Sequence, residues 1–363
     1  MLAAAPVAPR PPGRTEPDTQ SPGTKGRQPL VTDTPNTTRW GILSTGRIAG
    51  LFATGLASAP GAELVAVGSR TQESADRFAD QFDIPRRHAS YADLAADPEV
   101  DVIYVATPHP GHKDAALTCI AAGKNVLCEK PFALNLGEAT EMVEAARAKG
   151  VFLMEAMWTR FRPAMVKVRE VLASGAIGDI TLVTANIGWK AGFDPASRLY
   201  DPELGGGALL DGGVYPLSFV SMVLGAPSEV TGLAVLGKTG VDEQEAISLL
   251  HPSGAVACVG VTIRANPISL ATIVGTSGRI QIDHDFHKPI SFTVFVDGKE
   301  PERHEYPLAE GNGYQFEAMH VMECLQQGVT ESPIMPLDES LTIMNTMDTL
   351  RAQWGVRYPQ ETG

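Results

Sequence analysis

Short apolar segments alternate with amphipathic ones in the part of the chain that follows residue 38. In segment 135–149, Ala139, Val143 and Ala146 recur at the spacing of one helix face. The apolar segments are short and rich in Val, Ile and Leu, as strands covered on both faces require. The predicted strands are 40–43, 63–68, 100–106, 125–128 and 151–154. Strands alternating with helices predict an α/β fold with an open, doubly wound parallel sheet.

The pattern changes beyond residue 162, where predicted strands follow one another. Segment 290–296 alternates Ile290, Phe292 and Val294 with Ser291 and Thr293, the period of a strand covered mainly on one face. The strands predicted here are 181–189, 229–236, 246–250, 255–263, 270–274 and 290–296, and the helices are near 163–173, 313–327 and 337–354. This order predicts a C-terminal α+β domain with a large open, mainly antiparallel sheet.

These patterns divide the chain into a tail, two domains and a closing helix. Residues 1–38 contain eight prolines among Gly, Thr, Ser and Gln, a composition that predicts a disordered tail. The doubly wound domain is predicted over 39–158, the α+β domain over 159–335, and a C-terminal helix and tail over 336–363. Clefts between two such domains are common ligand sites.

Composition and charge narrow the classes of partner. The 363-residue chain is 44% hydrophobic and 20% charged, as in globular proteins, which excludes fibrous and wholly disordered chains. Its 29 Lys and Arg against 42 Asp and Glu give a formal net charge of −13. This charge repels phosphate backbones and anionic membranes, so we expect neither nucleic acid nor a membrane as a partner.

The cysteines and the hydropathy pattern suggest a cellular location. Cys119, Cys128, Cys258 and Cys324 stand far apart and form no metal-finger motif. Neither a disulfide framework nor a structural zinc is indicated, and a reducing cytoplasm fits best. We expect no membrane span, because no apolar run approaches 18 residues, and no signal peptide.

The first predicted strand ends in a turn typical of dinucleotide binding. In GILSTGRIAG (41–50), Ser44 takes the first glycine position of GxGxxG/A and Gly46 takes the second. A side chain at the second position would keep the backbone away from a pyrophosphate. The helix that begins near Arg47 and Ile48 would offer its free N–H groups and dipole to the phosphates. A tight turn that binds nothing is the alternative.

The end of the second strand bears on the choice of cofactor. An acidic residue there would bind the ribose hydroxyls of NAD, but Ser69 and Arg70 stand in its place. A guanidinium beside a small hydroxyl residue suits a 2′-phosphate. We predict NADP as the cofactor, with NAD as the alternative if Arg70 only stacks on adenine or lies in solvent.

Several motifs then resemble one family. The strand end followed by Glu129-Lys130-Pro131 resembles the signature of the Gfo/Idh/MocA oxidoreductases, and so do RWGIL (39–43), PHPGH (108–112), GGGALLD (205–211) and ESPIMPL (331–337). The segments MEAMWTRF (154–161) and DGGVYP (211–216) resemble the branch that contains dimeric dihydrodiol dehydrogenase and NADP-dependent D-xylose dehydrogenase. The resemblance covers about residues 39–359. It implies a Rossmann domain, a nicotinamide cofactor and a C-terminal sheet that mediates homodimer formation.

The resemblance and elementary chemistry together indicate a catalytic pair. Removing hydride from an alcohol carbon requires a group that takes the hydroxyl proton. Tyr215 matches the acid/base of the branch and Lys130 matches its lysine, whose ammonium would lower the pKa of the phenol and donate to the substrate oxygen. Asp211, one turn before Tyr215 if the segment is helical, would face the same cleft and orient the lysine or a sugar hydroxyl. Helix capping is the alternative for Asp211.

Further residues complete the expected site. By resemblance, Glu129 positions the nicotinamide ribose, and Thr107 and His109 line the cofactor cleft. Trp158 and Trp189 are expected in the substrate site, although a Trp that follows a buried strand is often simply core. The segment DHDFH (283–287) could be read as a metal cluster, but its place in a turn between strands favours a solvated loop. We expect no metal.

The predicted function is hydride transfer between a nicotinamide cofactor and a hydroxyl or carbonyl group of a sugar, polyol or cyclic diol. A cofactor-sensing regulatory protein without turnover is the alternative from another class, because a fold alone cannot separate the two. A weaker alternative is a nonredox lyase or isomerase with tightly held NAD. Substrate identity depends on loops such as 192–201, which pattern analysis cannot place.

Overall fold

The computed structural model describes residues 37–361. The predicted tail, 1–38, therefore lies outside the described residues except at its last two positions. Thr38 pairs with Ala62 and begins the first strand, which therefore starts two residues before the predicted strand 40–43.

The first sheet has six parallel strands, and the pattern of apolar segments predicted five of them. Its strands are β1 (Thr38–Leu43), β2 (Ala62–Gly68), β3 (Arg86–His88), β4 (Val102–Val105), β5 (Asn125–Glu129) and β6 (Leu153–Ala156). They lie in the order β3-β2-β1-β4-β5-β6, which is the order of a Rossmann fold. Strand β3 escaped prediction because its three residues, Arg-Arg-His, carry no apolar pattern.

Five helices connect these strands. They are α1 (Arg47–Leu56), α2 (Gln72–Phe82), α3 (Tyr91–Ala96), α4 (His112–Ala121) and α5 (Leu136–Lys149). The start of α5 is fixed by Asn135, whose side chain accepts a hydrogen bond from the Glu138 N–H at 2.9 Å. Its end is fixed by Gly150, which adopts a left-handed conformation with φ of 70°.

The second sheet has eight strands and is antiparallel except at one pair. Its strands are β7 (Ile180–Gly188), β8 (Glu229–Leu236), β9 (Asp242–Leu250), β10 (Val256–Thr262), β11 (Ala271–Gly275), β12 (Gly278–Ile282), β13 (Ser291–Val296) and β14 (Glu302–Glu305). Their order is β14-β13-β12-β11-β7-β10-β9-β8, and β7 and β10 run parallel. The sequence analysis predicted six of these strands and missed β12 and β14, which are short and carry few apolar residues.

Four helices complete the fold: α6 (Pro163–Ala173), α7 (Val214–Leu224), α8 (Gln315–Gln326) and α9 (Leu337–Trp354). Helix α9 packs against α5 and β6 on the side of the first sheet and against β8 of the second. Helix α8 packs against α1. The two C-terminal helices therefore fasten the second part of the described chain to the first.

One helical stretch bears on the expectation that the chain has no membrane span. The helical stretch Pro202–Leu224 is long and apolar enough to cross a membrane. However, 78% of its most apolar window is buried inside the protein, as in the core helix of a soluble protein. The sequence analysis passed over this stretch because its glycines break the apolar run.

Candidate active site

The carboxyl ends of the parallel strands bring predicted site residues to one edge of the first sheet. Ser44 follows β1, Ser69 follows β2, Thr107 lies two residues after β4, and Lys130 follows β5. Open α/β sheets bind their ligands at this edge. The fold therefore gathers residues that are up to 86 positions apart in the sequence.

The turn after β1 has the conformation that dinucleotide binding requires. Ser44 has a φ of 90°, in the left-handed region that favours glycine, which is the residue that the fingerprint places there. At Gly46 an added Cβ would meet no atom within 4 Å, so the space above this backbone is open. Gly46 precedes α1, whose first turn contains Arg47 and Ile48 and has no side-chain cap within the described part of the chain. Its N–H groups are thus free to bind an anion.

Two further positions fit a bound dinucleotide. The Thr107 Oγ1 atom is buried and has no hydrogen-bond partner among residues 37–361, so a ligand could supply one. Ser69 is buried, whereas the side chain of Arg70 is exposed beyond the end of β2. These residues fit the nicotinamide dinucleotide that the sequence predicts.

Glu129 is buried at the end of β5 rather than exposed as a surface carboxylate. Tyr104 donates a hydrogen bond to its Oε1 atom, and the Lys130 N–H donates to its Oε2 atom at 3.0 Å. Burial raises the pKa of Glu129 to about 7, although Lys130 and these hydrogen bonds act to lower it. The site thus contains a carboxyl group that titrates near neutral pH.

Lys130, Asp211 and Tyr215 meet in one cluster. The Lys130 ammonium donates to the backbone oxygen of Asp211 at 2.8 Å and lies 3.4 Å from its Oδ1 atom. The same Nζ atom lies 4.6 Å from the centroid of the Tyr215 ring. Trp158 donates from its indole N–H to the Tyr215 hydroxyl at 3.1 Å. The structure therefore brings together four residues, from the segments that follow β5 and β6 and from the start of α7 and the turn before it, that the sequence predicts for catalysis and substrate contact.

The pKa shifts of this cluster have opposing causes. Burial raises the pKa of the Tyr215 phenol above its ordinary value, although Lys130 and the Trp158 hydrogen bond act to lower it. Burial acts to lower the pKa of Lys130, but Tyr215, Asp211 and Glu129 outweigh it and the net shift is upward. Near neutral pH the cluster therefore holds an ammonium and a protonated phenol. The lysine acts on the phenol in the predicted direction, but desolvation is the larger effect.

The segment that carries Asp211 and Tyr215 is helical. A single π-helical turn (Leu209–Gly213) leads directly into α7, so both side chains face Lys130. The Asp211 carboxylate does not cap this helix. Asp242 accepts the Leu209 N–H at 2.7 Å instead, which rejects the capping alternative for Asp211.

The remaining predicted residues lie around the cluster. The His109 Nδ1 atom lies 3.3 Å from the Gly205 backbone oxygen, and burial lowers the pKa of His109 to about 3, so its ring is neutral. A Cβ added at Gly212 would lie 3.2 Å from atoms of the Trp189 ring, so Trp189 packs on the turn that carries Asp211. Trp158 is buried and stacks on Tyr314 with ring centroids 4.5 Å apart. Trp158 is thus both a core residue and a neighbour of the phenol.

The loop 283–287 corrects one expectation. We predicted a solvated loop, and His284 is indeed exposed, but Phe286 is fully buried. The ring centroid of His287 lies 5.4 Å from that of Tyr215, and burial lowers the pKa of His287 to about 4. The apolar Phe286 anchors the loop and turns its neighbouring histidine toward the phenol. No group of three metal-ligating residues occurs in the part of the chain that the structure describes.

The sequence analysis missed Tyr104, Arg198, His287 and Tyr314. Phe286, a large apolar residue inside a polar loop, was the signal that could have indicated burial of the loop with His287. Arg198 lies in the loop between β7 and α7 and binds both carboxylate oxygens of Asp211, at 2.7 and 3.1 Å. No local sequence pattern predicts that contact.

Comparison with known families agrees with this geometry. Residues 38–157 match the oxidoreductase family model with an NAD-binding Rossmann fold, and residues 165–281 match the GFO/IDH/MocA C-terminal domain. The chain belongs to the Gfo/Idh/MocA family of oxidoreductases. The resemblance, the fold class and the expectation of a nicotinamide cofactor are thereby confirmed.

Individual relatives place the chain more narrowly. It is 42% identical over 331 residues to trans-1,2-dihydrobenzene-1,2-diol dehydrogenase of Mus musculus, covering 89% of this chain and 98% of that protein. The human protein of that name is 39% identical with the same coverage.

Solved structures show the same architecture. Aldose-aldose oxidoreductase from Caulobacter crescentus, complexed with glycerol, has a TM-score of 0.79 and 25% identity over 86% of this chain and 96% of that one. The 3-ketoreductase KijD10 from Actinomadura kijaniata, in complex with NADP and TDP-benzene, has a TM-score of 0.76 and 25% identity over 87% and 98%.

Proposed function

We propose that this protein is an NADP-dependent dehydrogenase that oxidises a secondary hydroxyl of a cyclic diol, sugar or polyol and reduces the corresponding carbonyl. The observation that carries the proposal is the cluster of Lys130, Tyr215 and Trp158 at the carboxyl end of β5 and β6. The relatives named as diol dehydrogenases and sugar oxidoreductases support this substrate class.

In this proposal Tyr215 handles the proton. Its hydroxyl oxygen accepts a hydrogen bond from Trp158, which leaves the phenolic hydrogen free for the substrate oxygen. In reduction Tyr215 donates this proton to the carbonyl oxygen, and in oxidation the phenolate takes the hydroxyl proton. The Lys130 ammonium stabilises negative charge on the substrate oxygen during either reaction.

The cofactor would be held by the phosphate turn at Gly46 and by the ends of β2 and β4. A bound nicotinamide supplies the hydride chemistry. Arg70 would bind the 2′-phosphate with its guanidinium, and the Ser69 hydroxyl would donate a hydrogen bond to the same phosphate. The free Thr107 hydroxyl and the open space at Gly46 support this placement.

We also propose a homodimer formed through the open face of the second sheet. Leu233, Val235, Leu250 and Val256 lie on one face of β8–β10 and are 80%, 46%, 36% and 38% exposed. An apolar face of this kind commonly marks an interface. Leu233→Arg should convert the dimer into a folded monomer in sedimentation velocity, and a wild-type monomer would refute the interface.

A cytoplasmic location is proposed because all four cysteines are free thiols.

The test of the function is a screen of diols, sugars and polyols with NADP and NAD, following nicotinamide absorbance. Lys130→Met and Tyr215→Phe should each lower kcat about 10²- to 10⁴-fold, as loss of acid–base catalysis does, with unchanged NADPH affinity. Lys113→Met, which removes a lysine that pairs with Glu141 on the surface, is the control. Binding of NADPH without any turnover would refute the proposal and favour a cofactor sensor. Cofactor that stays bound through purification without net redox change would indicate a lyase or isomerase.

A further inference from the structure

Arg198 makes the strongest polar contact of the cluster that the proposed chemistry leaves unexplained. Its guanidinium places NH1 2.7 Å from Asp211 Oδ1 and NH2 3.1 Å from Oδ2, a two-pronged ion pair. The Asp211 side chain is 7% exposed and the Arg198 side chain 57%. One buried carboxylate therefore faces two cations, Arg198 from the solvent side and Lys130 from inside the protein.

The two cations use Asp211 differently. Arg198 occupies both carboxylate oxygens, whereas Lys130 makes its short contact, 2.8 Å, with the backbone oxygen and lies 3.4 Å from Oδ1. A guanidinium fork matches a carboxylate in a way that an ammonium does not. The geometry thus leaves the lysine only loosely held by the carboxylate.

The loop gives Arg198 a fixed position. The N–H groups of Tyr200 and Asp201 both donate to the Ser197 backbone oxygen at 2.9 Å, and the Gly207 N–H donates to the Leu199 oxygen at 2.9 Å. Ser197 is therefore held by the turn of its own loop, and Leu199 is tied to the segment that precedes Asp211. An exposed arginine on a freely moving loop would not have such anchors.

We propose that Arg198 is a positioning residue, which holds the Asp211 carboxylate and so keeps that negative charge from capturing Lys130. This inference rests on the proposed function, because it assigns Arg198 a role in the same proton transfer. With Arg198 in place, the charges of Asp211, Arg198 and Lys130 sum to +1 beside the phenol. Without it they sum to zero, and the ammonium is drawn toward the carboxylate and away from the substrate oxygen.

The predicted effect concerns pH, so the groups that face the cluster matter. Glu129 ends β5, and His109 lies in the segment that follows β4. His287 lies in the loop before β13, and Tyr314 directly precedes α8. None of them replaces the charge of Arg198. The two histidines are neutral near pH 7, and Glu129 becomes more negative as the pH rises.

Arg198→Met should therefore raise the pH at which oxidation reaches its plateau by about one unit, since Lys130, drawn toward Asp211, then stabilises the phenolate less. This corresponds to about a tenfold lower kcat near neutral pH. The affinity for NADPH should not change. Arg198→Lys keeps the charge but not the two-pronged pair, and should recover only part of the shift.

The matched control is Arg264→Met. Arg264 is 52% exposed and pairs with Glu243 at 3.6 Å, so this substitution removes a positive charge without touching Asp211. Its pH profile should match that of the wild type.

A double-substitution cycle separates action through Asp211 from direct contact with the substrate. In an Asp211→Asn background, Arg198→Met should change kcat by less than about twofold. A full tenfold loss in that background, or an unshifted profile for Arg198→Met in the wild-type background, would overturn the inference.

A second readout keeps this inference separate from the proposed function. Tyrosinate absorbance, taken as the difference between each enzyme and its Tyr215→Phe counterpart, reports ionisation of Tyr215 without turnover. If the wild type oxidises no substrate of the proposed class, the proposed function fails, and this titration still decides on Arg198. An upward shift in Arg198→Met supports the inference and coincident titrations refute it.

Discussion

The hydrogen bond from Trp158 to Tyr215 gives a quantitative prediction. Its N···O distance is 3.1 Å, and Trp158→Phe removes the donor while keeping an aromatic ring. A hydrogen bond to a neutral group contributes about 0.5–1.5 kcal/mol, and one to a charged group about 1.5–3 kcal/mol. The indole therefore favours phenolate over phenol by roughly 1–1.5 kcal/mol. Because one pKa unit corresponds to about 1.4 kcal/mol, the substitution should raise the pKa of Tyr215 by about one unit.

The two reaction directions are linked by the overall equilibrium constant. Oxidation uses the phenolate, whose fraction falls tenfold for each unit below the pKa, so kcat/KM for diol oxidation near neutral pH should fall about tenfold. Reduction uses the protonated phenol, which becomes a weaker acid by the same amount. Because the substitution cannot change the overall equilibrium constant, kcat/KM for reduction at the same pH should fall by the same factor when cofactor affinity is unchanged. Oxidation should likewise accelerate as the pH rises, in the wild type and in the variant.

The assay is a pH profile of kcat/KM in both directions, with the melting temperature as a check on folding. Trp354→Phe is the matched control, because its indole N–H donates to the Gly232 oxygen at 2.9 Å, away from the cluster. An oxidation profile for Trp158→Phe that coincides with the wild-type profile would refute the reasoning.

Three further predictions concern the cofactor and stability. Arg70→Ala should weaken NADPH binding about 10- to 100-fold, as loss of a charged hydrogen bond does, and leave NADH binding unchanged. Fluorescence titration measures both, with Arg77→Ala as control, and equal losses for the two cofactors would contradict a 2′-phosphate contact. Burial raises the pKa of Glu155 from 4.5 to about 7, so the folded state binds this proton more tightly, and stability falls by up to about 3 kcal/mol as the pH rises through that range. In urea unfolding, the Glu155→Gln variant should have a higher free energy of unfolding than the wild type at pH 8 but not at pH 4.5. The control Glu144→Gln, at an exposed position, should show no such difference. For Asp97, burial acts to raise the pKa, but hydrogen bonds from Arg86, Glu99 and His88 outweigh it and lower the pKa to about 2. Asp97→Asn should lower the free energy of unfolding by about 2 kcal/mol at pH 7, a value that allows for solvent screening of the exposed Arg86. This difference should vanish as the pH falls from 4 toward 2. A loss that does not depend on pH would contradict this account.

The two sheets were predictable to different degrees. All strands of the first sheet except β3 are buried mainly on both faces, so each of these five carries its own apolar signal and occurs within two residues of its predicted bounds. Strand β6 begins two residues later than predicted, because pairing of Leu153 with Val126 sets its register. In the second sheet, β12 and β14 depend on their neighbours for burial, and their own residues give little indication of a strand.

The site divides in the same way. Gly46, Lys130 and Tyr215 could be predicted because local motifs fix their chemistry relative to a strand end or a helix. Arg198, His287 and Tyr314 lie in loops, or beside them, that approach the cluster from distant parts of the sequence. Only packing decided that they lie there.

By itself, the sequence determined the alternation of strands and helices, the turn after the first strand and the side chains that are proposed to handle the proton. Each of these properties depends on residues within a few positions of one another. The tertiary structure decided the charge balance around Lys130, the burial that raises the pKa of Tyr215 and the placement of His287 beside the phenol. Electrostatic interaction and desolvation depend on distances through space, which a chain acquires only when it folds.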